Sequence, residues 1–157
     1  MSNSKIRTKL KDIGSKVRLR YRARVGRMGI KYAGSEEYVQ RTMLLLEVRR
    51  VDTNELVTDH IWLKVYKQLR DFNLKEGDEI SFEARVKPYD KGYYTETQQI
   101  DYSLSYPSKY IIEQRAEREL KEGEITSATI PTWNELLEAR ERKQKELFKN
   151  ERKIVNE

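Results

Sequence analysis

Lys16-Val17-Arg18-Leu19-Arg20-Tyr21-Arg22-Ala23-Arg24-Val25 is the stretch whose reading decides the fold. Its residues alternate with a period of two, the side-chain period of a β-strand. Val17, Leu19, Tyr21, Ala23 and Val25 share one face; Arg18, Arg20, Arg22 and Arg24 share the other. One strand therefore offers a packing face and a row of four guanidiniums. Two readings of that row stay open. It is a solvated outer face whose charges discourage edge pairing. Or, since no acidic residue sits within it to relieve the repulsion, it is a surface for a polyanion.

The charge around this strand is uneven. Residues 1–50 carry 14 Lys and Arg against 4 Asp and Glu. Residues 51–112 carry 8 against 11, and residues 113–157 carry 10 against 11. The basicity is concentrated in the first third, as a patch would be. Hydrophobic and charged residues each make up 37% of the 157-residue chain, which predicts one domain of about 100 residues with charged flanks. The absence of cysteine removes disulfides, thiolate catalysis and Cys-based zinc sites. With no long apolar run and no apolar signal region at the N-terminus, the expectation is a soluble cytoplasmic protein with no membrane partner.

Residues 1–15 read as a basic N-terminal arm or a short helix ending at Gly14. The first strand spans about 16–26, and Gly29, Gly34 and Ser35 read as breaks after it. A second strand spans about 39–51, with Leu44, Leu46 and Val48 inward and Arg41, Glu47 and Arg49 opposite. Asp52-Thr53-Asn54-Glu55 makes a tight turn. A third strand spans about 56–66, with Ile61, Leu63 and Val65 inward and His60, Trp62, Lys64 and Tyr66 outward. Residues 67–75 form a helical turn. A fourth strand places Ile80, Phe82, Ala84 and Val86 inward and Arg85 and Lys87 outward, and ends at Pro88. Residues 88–101 form a long loop, and a fifth strand spans about 102–112 with Pro107 at an edge or bulge. Residues 113–157 read as a charged helical extension. In it residues 123–131 are a linker, and Thr132-Trp133-Asn134-Glu135 has the form of a capping box.

Five strands with a helix between the third and fourth, long loops after the first and fourth, and the run Leu74-Lys-Glu-Gly-Asp-Glu-Ile-Ser-Phe-Glu-Ala-Arg-Val resemble the OB-fold proteins that bind single-stranded nucleic acid. The resemblance covers about residues 16–112. It implies a mainly β, α+β protein: a five-stranded OB-fold-like barrel with a charged C-terminal helical extension. An SH3-like or other small β-barrel would give a similar strand count. In OB-folds the ligand face is strands two and three, walled by the loops after strands one and four. That face would here carry Arg27, Lys31, Tyr32, Arg41, Trp62, Lys64 and Tyr66, with Arg85, Lys87, Tyr89, Lys91, Tyr93 and Tyr94 from the fourth strand and its loop. Cations track phosphates and aromatics stack bases, each stack contributing about 1–3 kcal/mol without regard to base identity.

The expectation is therefore binding of single-stranded nucleic acid, DNA favoured over RNA, through the arginine strand and these aromatics. The alternative is a protein-interaction module that blocks or recruits nucleic-acid machinery, its partner held through the C-terminal helix. No enzyme activity, metal, cofactor or small-molecule substrate is expected. His60 has neither a cysteine nor a second histidine beside it, and the glycines form no phosphate-binding loop.

Overall fold

The computed structural model describes residues 7–33, 38–90 and 100–155, with the backbone alone for residues 32, 33, 38 and 151–155. The alternation that starts at Arg18 becomes a strand that runs well past its expected end, β1 (Arg18–Ala33). Gly29, expected as a break, lies inside it and pairs with Thr42, while Gly34 and Ser35 lie outside the described residues; Gly26 bends the strand without ending it. Val25 pairs with Leu45 and Met28 with Met43, so Gly26 and Arg27 together oppose Leu44 as a bulge. A Cβ at Gly26 would lie 3.2 Å from the Leu44 side chain, which is why a glycine fits here.

β2 (Tyr38–Arg50) and β3 (Leu56–Lys64) follow as an antiparallel meander. The inward residues of β2 are Met43, Leu45 and Val48. Leu44 and Leu46 lie half-buried on the opposite face, which corrects the expected register. Met43 to Leu46 is an unbroken apolar run and carries no period-two signal. Glu47, at φ +51°, then bulges and returns Val48 to the core. On β3 the expected alternation holds: Ile61, Leu63 and Val65 are buried, while His60, Trp62 and Lys64 are exposed.

α2 (Lys67–Phe72) leads to β4 (Glu79–Asp90) and β5 (Ile100–Gln114). Ile80, Phe82, Ala84 and Val86 are buried as expected. Pro88 does not end β4. β1 pairs with β4 only as far as Arg85, so Pro88 lies where β4 has β5 alone as a neighbour. Pro107 sits in a bulge of β5 between the pairs Ser105–Arg85 and Ser108–Glu83. The rings of Tyr21, Phe82, Tyr110 and Phe72 pack in sequence, with centroids 6.2, 5.8 and 6.5 Å apart.

The sheet order is β3-β2-β1-β4-β5, every pair antiparallel. β3 and β5 do not pair, so the expected closed barrel is not formed. The gap is filled from the N-terminus. α1 (Thr8–Ile13) packs on β3, β4 and β5 and buries Leu10 completely. Just before it, Arg7 spans the gap. Its Nε donates to Thr58 Oγ1 (3.1 Å) and its Nη2 to the His60 carbonyl (3.2 Å), both on β3. Its Nη1 donates to the Tyr102 carbonyl on β5 and to the Tyr89 hydroxyl on β4, each at 3.0 Å. The backbone N–H of Arg7 donates to Asp101 Oδ1 (2.9 Å), and that carboxylate is nearly inaccessible to solvent. Residues 7–13, within the stretch read as a basic arm or a short helix, thus hold a short helix and form part of the core's wall.

Residues 115–131, expected as charged helix and linker, pack back over α2 and the lower edge of the sheet. Ser127 Oγ donates to the Leu69 carbonyl and accepts from the Leu74 N–H, and Ile130 is buried. Asp78, fully buried, accepts from the N–H groups of Lys75 and Ala116, from Lys75 Nζ and from Arg115 Nη1. Burial pushes its carboxyl up, but these donors outweigh burial and hold it below the usual carboxylate value. Arg118 clasps Glu124 at 2.6 and 2.7 Å and lowers that carboxyl to about 2. α3 (Trp133–Val155) begins where expected, with Thr132 Oγ1 accepting from the Glu135 N–H (3.2 Å).

Candidate nucleic-acid interface

The row of arginines on β1 points outward as expected, but it is not unopposed. Antiparallel pairing brings carboxylates from other strands beside it. Arg22 meets Glu79 at 2.9 Å and Arg24 meets Glu47 at 3.3 Å. Glu83 lies 3.6 Å from Arg18, 3.8 Å from Arg20 and 3.6 Å from Lys109. Arg18 also donates to the carbonyls of Glu83 and Tyr106 and to the Ser108 hydroxyl. Arg20 donates to Ser81 Oγ (2.7 Å), which in turn donates to Glu113. Among the described residues, five cations here face Glu47, Glu79, Glu83 and Glu113. The mutual repulsion that favoured a polyanion is largely relieved inside the chain. The sequence hid this because each carboxylate is remote in the chain and adjacent only through strand pairing.

A second group of cations on the same sheet has no ion pair among the described residues: Arg27, Lys31, Lys64, Arg85 and Lys87. Arg27 and Lys64 both neighbour Trp62 on the outer face. The Arg27 guanidinium lies 5.5 Å from the centre of the Trp62 ring, and Trp62 stays 40% exposed. Such a stack contributes about 0.5–1 kcal/mol at an exposed site and presents a flat cationic surface. Its geometry depends on Gly29. A Cβ there would lie 2.9 Å from Thr42 Oγ1 and 3.1 Å from the Trp62 ring, so the missing side chain lets the indole lie across β1.

Lys64, two residues on, shares the outer face of β3 with Trp62 and pairs in register with Thr42. Beyond it the strand end opens into a cleft of about 230 Å³, lined by Val39, Gln40, Arg41, Lys64, Val65, Tyr66, Thr132 and Trp133. Tyr66 is 65% exposed. Lys31 pairs in register with Gln40, on the flank of this cleft.

The structure thus joins Arg27, Trp62, Lys64 and Tyr66 into one strip, with Lys31 at its side, while Arg41 alternates with the buried Met43 and reaches only the cleft at the strand end. It separates them from Arg85 and Lys87 on the outer face of β4. Tyr89 is drawn into the seam, where its hydroxyl accepts from Arg7 and donates to Asp101 (3.3 Å). Lys91, Tyr93 and Tyr94 lie outside the described residues, as does the side chain of Tyr32. Trp133 and Thr132 were not foreseen at the site. Their capping-box pattern marked a helix start and carried no sign of the strand end it packs against.

Among the described residues no cluster of three or more His, Cys, Asp or Glu could hold a metal ion, and no helix is long and apolar enough to cross a membrane. Searches of family models, of curated proteins and of solved structures find no match to this chain.

Proposed function

We propose that this chain binds single-stranded nucleic acid on the outer face of β3, along Arg27, Trp62, Lys64 and Tyr66. The observation that carries the proposal is the Arg27–Trp62 stack, half-exposed and followed by Lys64, with no carboxylate paired to either cation among the described residues. A single strand needs flat surfaces for its bases and cations for its phosphates, and this strip offers both. The strand order and the helix between β3 and β4 support reading the sheet as an OB-fold opened between β3 and β5, with α1 in the gap. OB-folds are partly open, and their strands two and three carry the ligand. The arginine row then acts as an ion-paired frame beside the site.

The test is a fluorescence anisotropy titration with a labelled single-stranded oligonucleotide at moderate salt, competed by duplex of equal length. Single strand should compete better, because paired bases hide their faces. In a Trp133→Phe background, Trp62 emission should be quenched on saturation. Saturable binding that leaves Trp62 emission unchanged would remove the strip from the site. A second reading, a protein-docking module, is supported by α3: from Asn134 to Asn150 every residue except Leu136 is exposed, Leu147 and Phe148 among them. No oligonucleotide binding even at low salt would overturn the first reading in favour of this one.

A further inference from the structure

The cleft at the end of β3 is more than a continuation of the strip. It is composite: Val39, Gln40 and Arg41 come from β2, Lys64 and Val65 from β3 and its end, Tyr66 from the cap of α2, and Thr132 and Trp133 from the start of α3. Its walls sort by chemistry. Tyr66 and Trp133 supply two aromatic rings, Val39 and Val65 apolar sides, and Lys64 a cation, with Arg41 set deeper and its Nη1 buried. Gln40 and Thr132 supply neutral hydrogen-bonding groups. Among the described residues no lining residue is acidic. At about 230 Å³ it falls below the roughly 300–1,000 Å³ of pockets for drug-sized ligands, so it suits one ring system and not several.

We propose that this cleft takes one nucleotide unit, a single base with its attached phosphate, out of the strand bound along Trp62. The claim rests on the reading of the strip as a single-strand surface. An aromatic wall recognises the face of a base, the Lys64 cation recognises a phosphate, and an amide side chain recognises a base edge. An acidic peptide would use the cation but would leave the aromatic walls without a planar partner. The cleft also gives α3 a role. Its first turn is a wall of the site, so the occupied cleft fixes the start of a helix that is otherwise exposed.

The experiment uses the full chain with Trp62→Phe, which leaves Trp133 as the sole tryptophan. Three probes are titrated: deoxyadenosine 5′-monophosphate, deoxyadenosine, and deoxyribose 5-phosphate. The mononucleotide should change Trp133 emission saturably at millimolar concentration, and Lys64→Gln should weaken it about ten-fold, as removal of one charge-assisted hydrogen bond would. Deoxyribose 5-phosphate should leave the emission unchanged, and deoxyadenosine should bind more weakly than the mononucleotide. An equal response to the baseless phosphate would make the cleft a general anion site and overturn the proposal. So would silence of Trp133 to the mononucleotide while an oligonucleotide quenches Trp62 in the Trp133→Phe chain, an outcome that leaves the strip intact. A mononucleotide response without oligonucleotide binding would overturn both the strip and the proposal that the cleft takes its unit from a bound strand. An acidic peptide that displaces the mononucleotide and binds more tightly would also overturn the proposal.

Discussion

Arg22 Nη2 lies 2.9 Å from Glu79 Oε2 across the β1–β4 pair. The same relationship, a guanidinium on β1 answered by a carboxylate from another strand, recurs at Arg18, Arg20 and Arg24. A stripe of one sign in the sequence is a lattice of both signs on the folded sheet. The triple change Arg20→Gln, Arg22→Gln, Arg24→Gln should therefore leave oligonucleotide affinity and its salt dependence unchanged. It should cost about 1–2 kcal/mol of stability, as exposed and half-exposed pairs are worth about 0–1 kcal/mol each. Binding isotherms at several salt concentrations and urea denaturation read the two effects separately.

The same pair of measurements on Arg27→Gln with Lys64→Gln should give the reverse. Stability should fall by no more than about 0.5–1 kcal/mol, the contribution of the Arg27–Trp62 stack, because neither cation has an ion pair among the described residues. The slope of log affinity against log salt should flatten by about 1.4, near 0.7 for each phosphate of a single strand that the chain no longer neutralises. An unchanged slope would place the phosphates elsewhere.

Gly29→Ala puts a methyl group where Thr42 Oγ1 stands 2.9 Å and the indole of Trp62 3.1 Å away. The indole must move, and the Arg27 stack with it. Circular dichroism should report an intact fold, while Trp62 emission in the Trp133→Phe background shifts and oligonucleotide affinity falls. If emission and affinity both match the parent, the indole's position over β1 is not what binds.

How far the sequence could be read followed from where its signals were local. Alternation at 18–25 and 80–86 is period-two over several residues, and both runs became strands: Tyr21, Ala23 and Val25 and Ile80, Phe82, Ala84 and Val86 are buried, while Leu19 is half-buried and Val17, just before the strand, is exposed. Met43 to Leu46 gave no alternation, and there the register slipped by one. The partners of the arginine row were illegible because Glu79 and Glu83 reach them only through the β1–β4 ladder. Trp62 and Lys64 were placed correctly by alternation alone. Trp133 was not, because its site is made by the fold of residues 115–131, a stretch whose composition looks like linker while Ser127 and Ile130 are buried within it.

That stretch gives a stability test. Ser127→Ala strips partners from the Leu69 carbonyl and the Leu74 N–H, and should cost about 1–3 kcal/mol. Ile130→Ala should cost about 2–4 kcal/mol through the cavity it leaves. A chain ending at residue 114 should consequently fail to give a cooperative urea transition. A cooperative transition in that shortened chain would show that the strap is dispensable.

Asp78 sets a pH dependence. Its folded carboxyl sits below the usual value of 3.8, so the stability it contributes is present above that value and is lost as pH falls through the folded one. Urea midpoints between about pH 2 and 5 should fall with acidification. In Asp78→Asn, already less stable at neutral pH, this part of the fall should be missing. A parallel decline in both proteins would assign acid sensitivity to other carboxylates.

Arg7 joins His60, 53 residues away, to Tyr102, 95 residues away. Synthesis runs from the N-terminus at about 5–20 residues per second, so the first acceptors of this guanidinium are made seconds before the last. During that interval β3 is complete, β5 does not exist, and α1 with its Leu10 has only part of its seat. The nascent chain must hold an exposed strand edge until residue 102 has left the ribosome. A segment made before the sheet is then locked only after the sheet's last strand has been made.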